Sequence, residues 1–231
     1  MSIKDYKILI LCGGKGDRLK PLTDKIPKPL ININGKPILY HLINYFQKYG
    51  FIDFILATGY KSKKIEQYIE KNHKDINITF SNAGDVDIIE RIIYAINLVE
   101  DNFMLCYGDT LANIKLDELI KYHDSHNGQG TITTYQLKSP FGVLQFDESG
   151  LIHSFIEKPV LDNWINIGYF LFSKDMLEEM VGYKTFAEFL SGVINKHKLY
   201  NFKHKGIHIT VNTIKELNEA EKNIKLFKKI N

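Results

Sequence analysis

Apolar residues in the first half of the chain fall into two alternating kinds of stretch. Residues 8–11, 54–57 and 103–107 are short and almost wholly apolar, the pattern of strands covered on both faces, and residues 76–80 read as a further strand. Between them, Leu39, Leu42, Ile43 and Phe46 recur at i, i+3, i+4 and i+7, one face of a helix. Pro37 suits the first turn of that helix and Gly50 ends it. Two more helices are predicted, over 62–71 and about 88–98. Residues 30–33 alternate weakly and run into Asn34-Gly35, a tight-turn pair. Strands alternating with helices predict an α/β protein with a doubly wound, mainly parallel sheet, whose ligands bind at the carboxyl ends of the strands.

After about residue 128 the spacing changes. Residues 131–137, 143–146, 152–156 and 165–172 read as strands with short links, and Asp147-Glu148-Ser149-Gly150 as a hairpin turn. Thr185…Glu188 and Thr213…Glu216 are capping boxes that open two helices. No repeat, low-complexity segment or linker interrupts the chain, which predicts one domain over 1–231 with a mixed sheet.

Composition narrows the classes without choosing a function. The chain has 231 residues, 44% hydrophobic and 25% charged, enough for a substantial core. A formal charge of +3 argues against nucleic acid as a partner. No run of 18 or more apolar residues is present, so no membrane partner is expected. Met1 to Tyr6 leads straight into the first strand, which predicts no signal peptide. Cys12 and Cys106, at the ends of apolar strands, read as core residues of a reduced, cytoplasmic protein.

The densest chemistry follows the first strand, in Leu11-Cys12-Gly13-Gly14-Lys15-Gly16-Asp17-Arg18 and then Pro27-Lys28-Pro29. Three glycines at a strand end predict positive φ and close backbone approach to a ligand. Such a loop aims N–H groups in one direction and cradles phosphate. Arg18 adds a fixed cationic fork and Lys28 a mobile point charge. The loop lacks the Gly-Lys-Ser/Thr close of a Walker A sequence and the G-x-G-x-x-G spacing of a dinucleotide fingerprint.

Tyr107-Gly108-Asp109-Thr110 ends the fourth predicted strand, where a carboxylate is placed to hold Mg²⁺ or merely to start a turn. Glu157-Lys158-Pro159 ends another, and the residue before a proline is expected to be extended. Lys158 could neutralise an acceptor phosphate, with Glu157 and Asn166 bonding its polar groups; a plain surface ion pair is the alternative. Trp164 reads as core or pocket wall, and His204 and His208, four apart on a strand–turn–strand, give no metal spacing.

In order, the loop with Arg18 and Pro27-Lys28-Pro29, Gly-Lys-Pro-Ile-Leu at 35–39, Thr-Gly-Tyr-Lys at 58–61, Tyr-Gly-Asp at 107–109, Phe-Gly at 141–142, Glu-Lys-Pro at 157–159 and Ile-Asn-x-Gly at 165–168 resemble the sugar-1-phosphate nucleotidyltransferases. The resemblance covers almost the whole chain and is closest to the glucose-1-phosphate cytidylyltransferases. It implies a Rossmann-like nucleotidyltransferase fold, a nucleotide-binding half over 1–128 and acceptor-binding strands over 129–231. It further implies Mg²⁺ dependence and transfer of CMP from CTP to a small phosphorylated acceptor, as in surface polysaccharide precursor synthesis. By position, Leu11, Gly13, Gly14, Lys15, Gly16, Gly84 and Asp85 would line the nucleotide. Arg18, Lys28 and Lys158 would be catalytic, Glu157, Lys158, Asn166 and Gly168 would meet the acceptor, and Asp109 and Asn212 the metal. A homo-oligomer is compatible with this reading.

The chain departs from that pattern twice. Asn212-Thr213 stands where the family usually has Asp-Thr, and Gly84-Asp85-Val86-Asp87 lacks the usual Thr-Gly-Gly. The second departure leaves open an acceptor that is not a sugar, such as phosphoglutamine. The first leaves open a regulatory subunit that binds nucleotide without turnover.

Overall fold

Strands with no polar face need cover on both sides, and the described chain provides it with one seven-stranded sheet between two helical layers. The computed structural model describes residues 6–99, 103–126 and 130–228. The expected path of Met1 to Asp5 and the change of pattern at residue 128 lie outside the described residues.

In chain order the elements are β1 (Lys7–Leu11), α1 (Leu22–Lys25), β2 (Asn32–Ile33), β3 (Lys36–Pro37), α2 (Ile38–Lys48), β4 (Asp53–Thr58), α3 (Ser62–Asn72), β5 (Asn77–Asn82) and α4 (Ile88–Ala95). There follow β6 (Phe103–Tyr107), β7 (Thr110–Ala112), α5 (Leu116–Asp124), β8 (Gly130–Lys138), β9 (Val143–Phe146), β10 (Ile152–Ile156) and β11 (Val160–Phe172). The chain closes with α6 (Lys174–Glu178), α7 (Phe186–Lys196), β12 (Leu199–His204), β13 (His208–Thr210) and α8 (Ile214–Lys228).

The sheet order is β12-β8-β11-β6-β1-β4-β5. β6, β1, β4 and β5 run parallel, as does the β12–β8 pair, while β11 is antiparallel to both β6 and β8. Side chains alternate across the sheet with period 2. Ile8 and Ile10, Phe54 and Leu56, and Met104 and Cys106 join one core with α2, α3, α5 and α8. Leu9, Ile55, Ala57, Phe103 and Leu105 point the other way, into a core with α4, α6 and α7.

Several expectations are corrected in detail. α4 stops at Ala95 and a 3₁₀ turn, Ile96–Leu98, completes the predicted helix. Pro37 is the N-cap of α2, with ψ of 152°, rather than a residue of its first turn. β11 starts five residues earlier than predicted and is 13 residues long. The patterning did not mark α5, α6 or β7, which are short or lie between clearer runs. Asn34 and Gly35 both have positive φ (50° and 78°), as the tight turn between β2 and β3 requires. β9 and β10 form a separate two-stranded ribbon whose Leu144, Phe146, Ile152 and Phe155 are exposed. No helix among the described residues is long and apolar enough to cross a membrane.

Burial makes several imidazoles harder to protonate. Desolvation lowers the pKa of His73, His123 and His204, and lowers that of His208 from 6.5 to about 4, helped by nearby His204. The unfolded chain therefore binds more protons than the folded one below pH about 6.5. The stabilisation is fully present above that pH and is lost as pH falls towards 4. The melting temperature is expected to drop steadily between pH 7.5 and 4.5, and less steeply in His208→Gln; a flat profile over that interval would contradict the assignment.

Candidate active site

The carboxyl ends of β1, β4 and β6 lie side by side, so the loops that follow them share one crevice. That crevice is a cleft of about 760 Å³ walled by Leu11, Cys12, Gly13, Gly14, Lys15 and Asp17 from the first loop, with Lys28 and Asp109 opposite. Residues 85–88, Glu90 and Arg91 close its far side, and Tyr107 and Gly108 complete it.

Asp109 and Asn212 meet because β7 and β13 pair antiparallel with Thr110 opposite Thr210. The residue before β7 is thereby carried to the residues after β13, and Val211 N–H donates to the Asp109 carbonyl at 3.4 Å. The capping box of α8 holds Asn212 in place. Glu216 Oε2 accepts from the backbone N–H of Asn212 and of Thr213, and Thr213 Oγ1 accepts from Glu216 N–H.

Lys28 joins the two. Its ammonium donates to Asp109 Oδ2 and, at 2.8 Å, to Asn212 Oδ1. Arg18 Nη2 donates to the same Asn212 oxygen at 3.2 Å. The lysine side chain is 11% exposed and the carboxylate 30%, so this ion pair is far less screened than a surface pair. Arg18, Lys28, Asp109 and Asn212, which lie up to 194 positions apart in sequence, thus form one network. The Asp109 and Asn212 oxygens converge on a single cation. Mg²⁺ takes oxygen ligands and is commonly held by one or two carboxylates plus substrate phosphates, so this donor set fits it. No group of three or more His, Cys, Asp or Glu able to hold a metal occurs among the described residues.

The glycines of the first loop serve different needs, which corrects the expectation of positive φ throughout. Only Gly16 among them has it, at 68°. It packs against Lys28, and its carbonyl accepts from Thr23 Oγ1 at 3.0 Å. Gly13 is needed for space, since a Cβ there would lie 1.8 Å from Arg91 Nη1. Gly14 faces nothing within 4 Å and is open to the cleft.

Arg91 is the cleft residue that sequence reading missed. It is 4% exposed and held by three carbonyls, those of Thr58 (2.5 Å), Gly84 (3.2 Å) and Val86 (2.7 Å). Burial lowers its pKa, while Asp85 and Asp87 oppose that shift through space. Its position on the inward face of α4, beside the buried Ile89, Ile92 and Ala95, was a signal available in the helical period. Across the cleft mouth, Lys15 pairs with Asp85 at 2.6 Å, and with side chains 48% and 70% exposed that contact contributes little stability. Gly84 has a φ of 76° at the base of the same loop. Burial pushes the Cys12 thiol pKa up, so Cys12 is an inert wall residue.

The residues expected to meet an acceptor divide into two groups. Gly168, with φ of 78°, lies against the Tyr107 ring, where a Cβ would come within 2.2 Å. Asn166 Oδ1 accepts from Gly168 N–H at 2.8 Å, which ties Asn166 to the glycine that abuts Tyr107. This pair therefore backs a residue of the cleft wall. Glu157 and Lys158 do not line the cleft; they are 3.6 Å apart and each 60% exposed beside the β9–β10 ribbon. Lys158 has a φ of 48° instead of the extended backbone expected before Pro159. Trp164 is half-buried on β11 with the Lys203 ammonium 5.0 Å above its ring, outside both cores and the cleft.

The sequence pattern described as Nucleotidyl transferase matches residues 7–207. The chain is 35% identical to a protein of Bacillus subtilis (strain 168) described as "Probable glucose-1-phosphate cytidylyltransferase", over 94% of this chain and 95% of that one. It is 34% identical to the mannose-1-phosphate guanylyltransferase catalytic subunit beta of Danio rerio, over 75% of its own length but only 51% of the relative's. The solved structure of HddC from Yersinia pseudotuberculosis complexed with GMP-PN superposes with a TM-score of 0.75 at 25% identity, covering 95% of this chain and 99% of that one.

Gly13→Ala tests the packing beneath the loop. The added methyl must displace a guanidinium anchored at three carbonyls. The expected cost is about 1–3 kcal/mol, the usual range for overpacking, read as a lower denaturation midpoint. Parental stability in that variant would mean that Arg91 does not wedge against the loop.

Proposed function

The chain belongs to the Nucleotidyl transferase family, and we propose that it transfers CMP from CTP to a sugar 1-phosphate with release of pyrophosphate. The observation that carries this reading is the convergence of Arg18, Lys28, Asp109 and Asn212 at one side of a cleft lined by a glycine loop. The choice of CTP rests on the Bacillus subtilis relative, which the chain matches along nearly the whole of both lengths. The guanylyltransferase relative is matched over half its length, but the HddC structure complexed with GMP-PN is matched along nearly the whole of both chains, which makes GTP the competing donor.

In the proposed reaction an oxygen of the acceptor phosphate attacks the α-phosphorus of CTP. A new P–O bond forms as the bond to the β-phosphate oxygen breaks, and pyrophosphate leaves with the electron pair. The nucleophile is already anionic at neutral pH, so no general base is needed. The barrier comes from bringing two polyanions together, and the site lowers it by positioning and charge neutralisation. Lys28 exchanges its contacts with Asp109 and Asn212 for the α-phosphate, and Arg18 holds the departing pyrophosphate. Asp109, with the Asn212 carbonyl oxygen beside it, would hold Mg²⁺, which neutralises phosphate charge when bound. Asn166 and Gly168 shape the acceptor side through Tyr107, whereas Glu157 and Lys158, which lie outside the cleft, would meet only an acceptor that extends towards the β9–β10 ribbon. The two buried, unpaired cysteines suit a cytoplasmic protein.

Lys28→Ala is expected to keep the parental circular dichroism spectrum and to lower kcat by about 10²–10³, as when one preorganised donor is lost. The assay is pyrophosphate release from CTP with a panel of sugar 1-phosphates. Faster release from GTP, UTP or dTTP than from CTP would reject cytidylyl transfer, and near-parental kcat in Lys28→Ala would reject the site.

Removal of metal by a chelator is expected to abolish turnover, with recovery on adding Mg²⁺. Asp109→Asn leaves no carboxylate at that position and is expected to lose most activity at every Mg²⁺ concentration. Asn212→Asp should shift the Mg²⁺ titration to lower concentrations without being required for turnover. An inactive parent rescued by Asn212→Asp would favour a nucleotide-binding regulatory subunit instead.

A further inference from the structure

Arg91 and Asp87 stand apart from the network that handles phosphate. In the sheet, β6 and β4 flank β1 on opposite sides. Lys28, Asp109 and Asn212 gather beyond β6, whereas Arg91 bonds the last residue of β4, Thr58, and abuts Gly59. A nucleoside triphosphate with its phosphates at the first group extends its base towards the second.

The cleft lining at that end includes both a hydrogen-bond donor, Arg91, and an acceptor, Asp87. A guanidinium carries five N–H donors. The Thr58, Gly84 and Val86 carbonyls accept from three of them, which leaves two on a side chain that is 4% exposed and lines the cleft. Arg91 has no carboxylate in direct contact among the described ion pairs; its buried charge is met by three carbonyl dipoles and, through space, by Asp85 and Asp87. Asp87 occupies the N-cap position of α4, yet its side chain makes no capping bond, and it too lines the cleft.

We propose that Arg91 and Asp87 form a base-reading subsite selecting an amino-bearing pyrimidine, cytosine, over uracil and thymine. Cytosine offers O2 and N3 as acceptors to the arginine and its N4 amine as donor to the carboxylate. Uracil and thymine keep the O2 acceptor but present N3–H to the guanidinium and O4 to the carboxylate, which inverts the other two contacts. A site built to bond one pattern rejects the other because its own polar groups are left unpaired. The subsite deepens the nucleotidyl-transfer reading and rests on it.

The test is calorimetric binding of CTP, UTP and GTP to the full chain with Mg²⁺ and no acceptor. The parent is expected to bind CTP about tenfold or more tightly than UTP. Asp87→Asn, which changes an exposed side chain and offers an amide N–H to O4, is expected to bring that ratio below about threefold, chiefly by improving UTP. Lys28→Ala should weaken CTP and UTP alike and leave the ratio intact. Equal affinity for CTP and UTP in the parent, or an unchanged ratio in Asp87→Asn, would overturn the subsite while leaving nucleotidyl transfer standing. Tighter binding of GTP than of CTP would overturn the choice of cytosine. Failure of the parent to bind any triphosphate would overturn both.

Discussion

A largely buried ammonium must be surrounded by oxygen, and in this chain that requirement draws three distant segments together. Lys28 is 9% exposed, and its partners come from the end of β6 and the start of α8. Removing either oxygen would leave the charge under-solvated, so the loop carrying Lys28, the β7–β13 pairing and the cap of α8 depend on one another. The position of the C-terminal helix is thus tied to the same contact that prepares the cleft for an anionic ligand.

The glycine loop shows a second dependence of this kind. Its shape is usually explained by what it offers a ligand, and Gly14 fits that explanation because it is open to the cleft. Gly13 does not. Its missing side chain makes room for a guanidinium that reaches over from α4 and pins Thr58, Gly84 and Val86. One buried cation therefore sets the spacing between the loops after β1, β4 and β5.

Much of this organisation was legible in the sequence because it follows local rules. Runs such as 8–11 and 103–107 have no polar face and became central strands; the period of Leu39, Leu42, Ile43 and Phe46 became the buried face of α2. Arg18, Lys28, Asp109 and Asn212 were each visible, but their convergence depends on a three-residue pairing of Thr110 with Thr210, too short to leave a pattern. Arg91 was hidden for a different reason: patterning treats charge as a sign of exposure, and its burial depends on three backbone carbonyls from elsewhere in the fold. Lys158 shows the limit of the rule for residues before proline, since it takes a positive φ beside the ribbon.

β11 spans two mechanical regimes. Its last six residues, Ile167 to Phe172, are buried, while the stretch from Val160 to Asn166 is mostly exposed, paired with β8 and touched at Trp164 by Lys203 of β12. Such a strand is built like a cantilever, anchored at its root and open at its tip. Gly168 and Asn166 sit at the junction, against the ring of Tyr107. Displacement of the open end would therefore leave the buried root, and the Tyr107 ring packed on Gly168, in register.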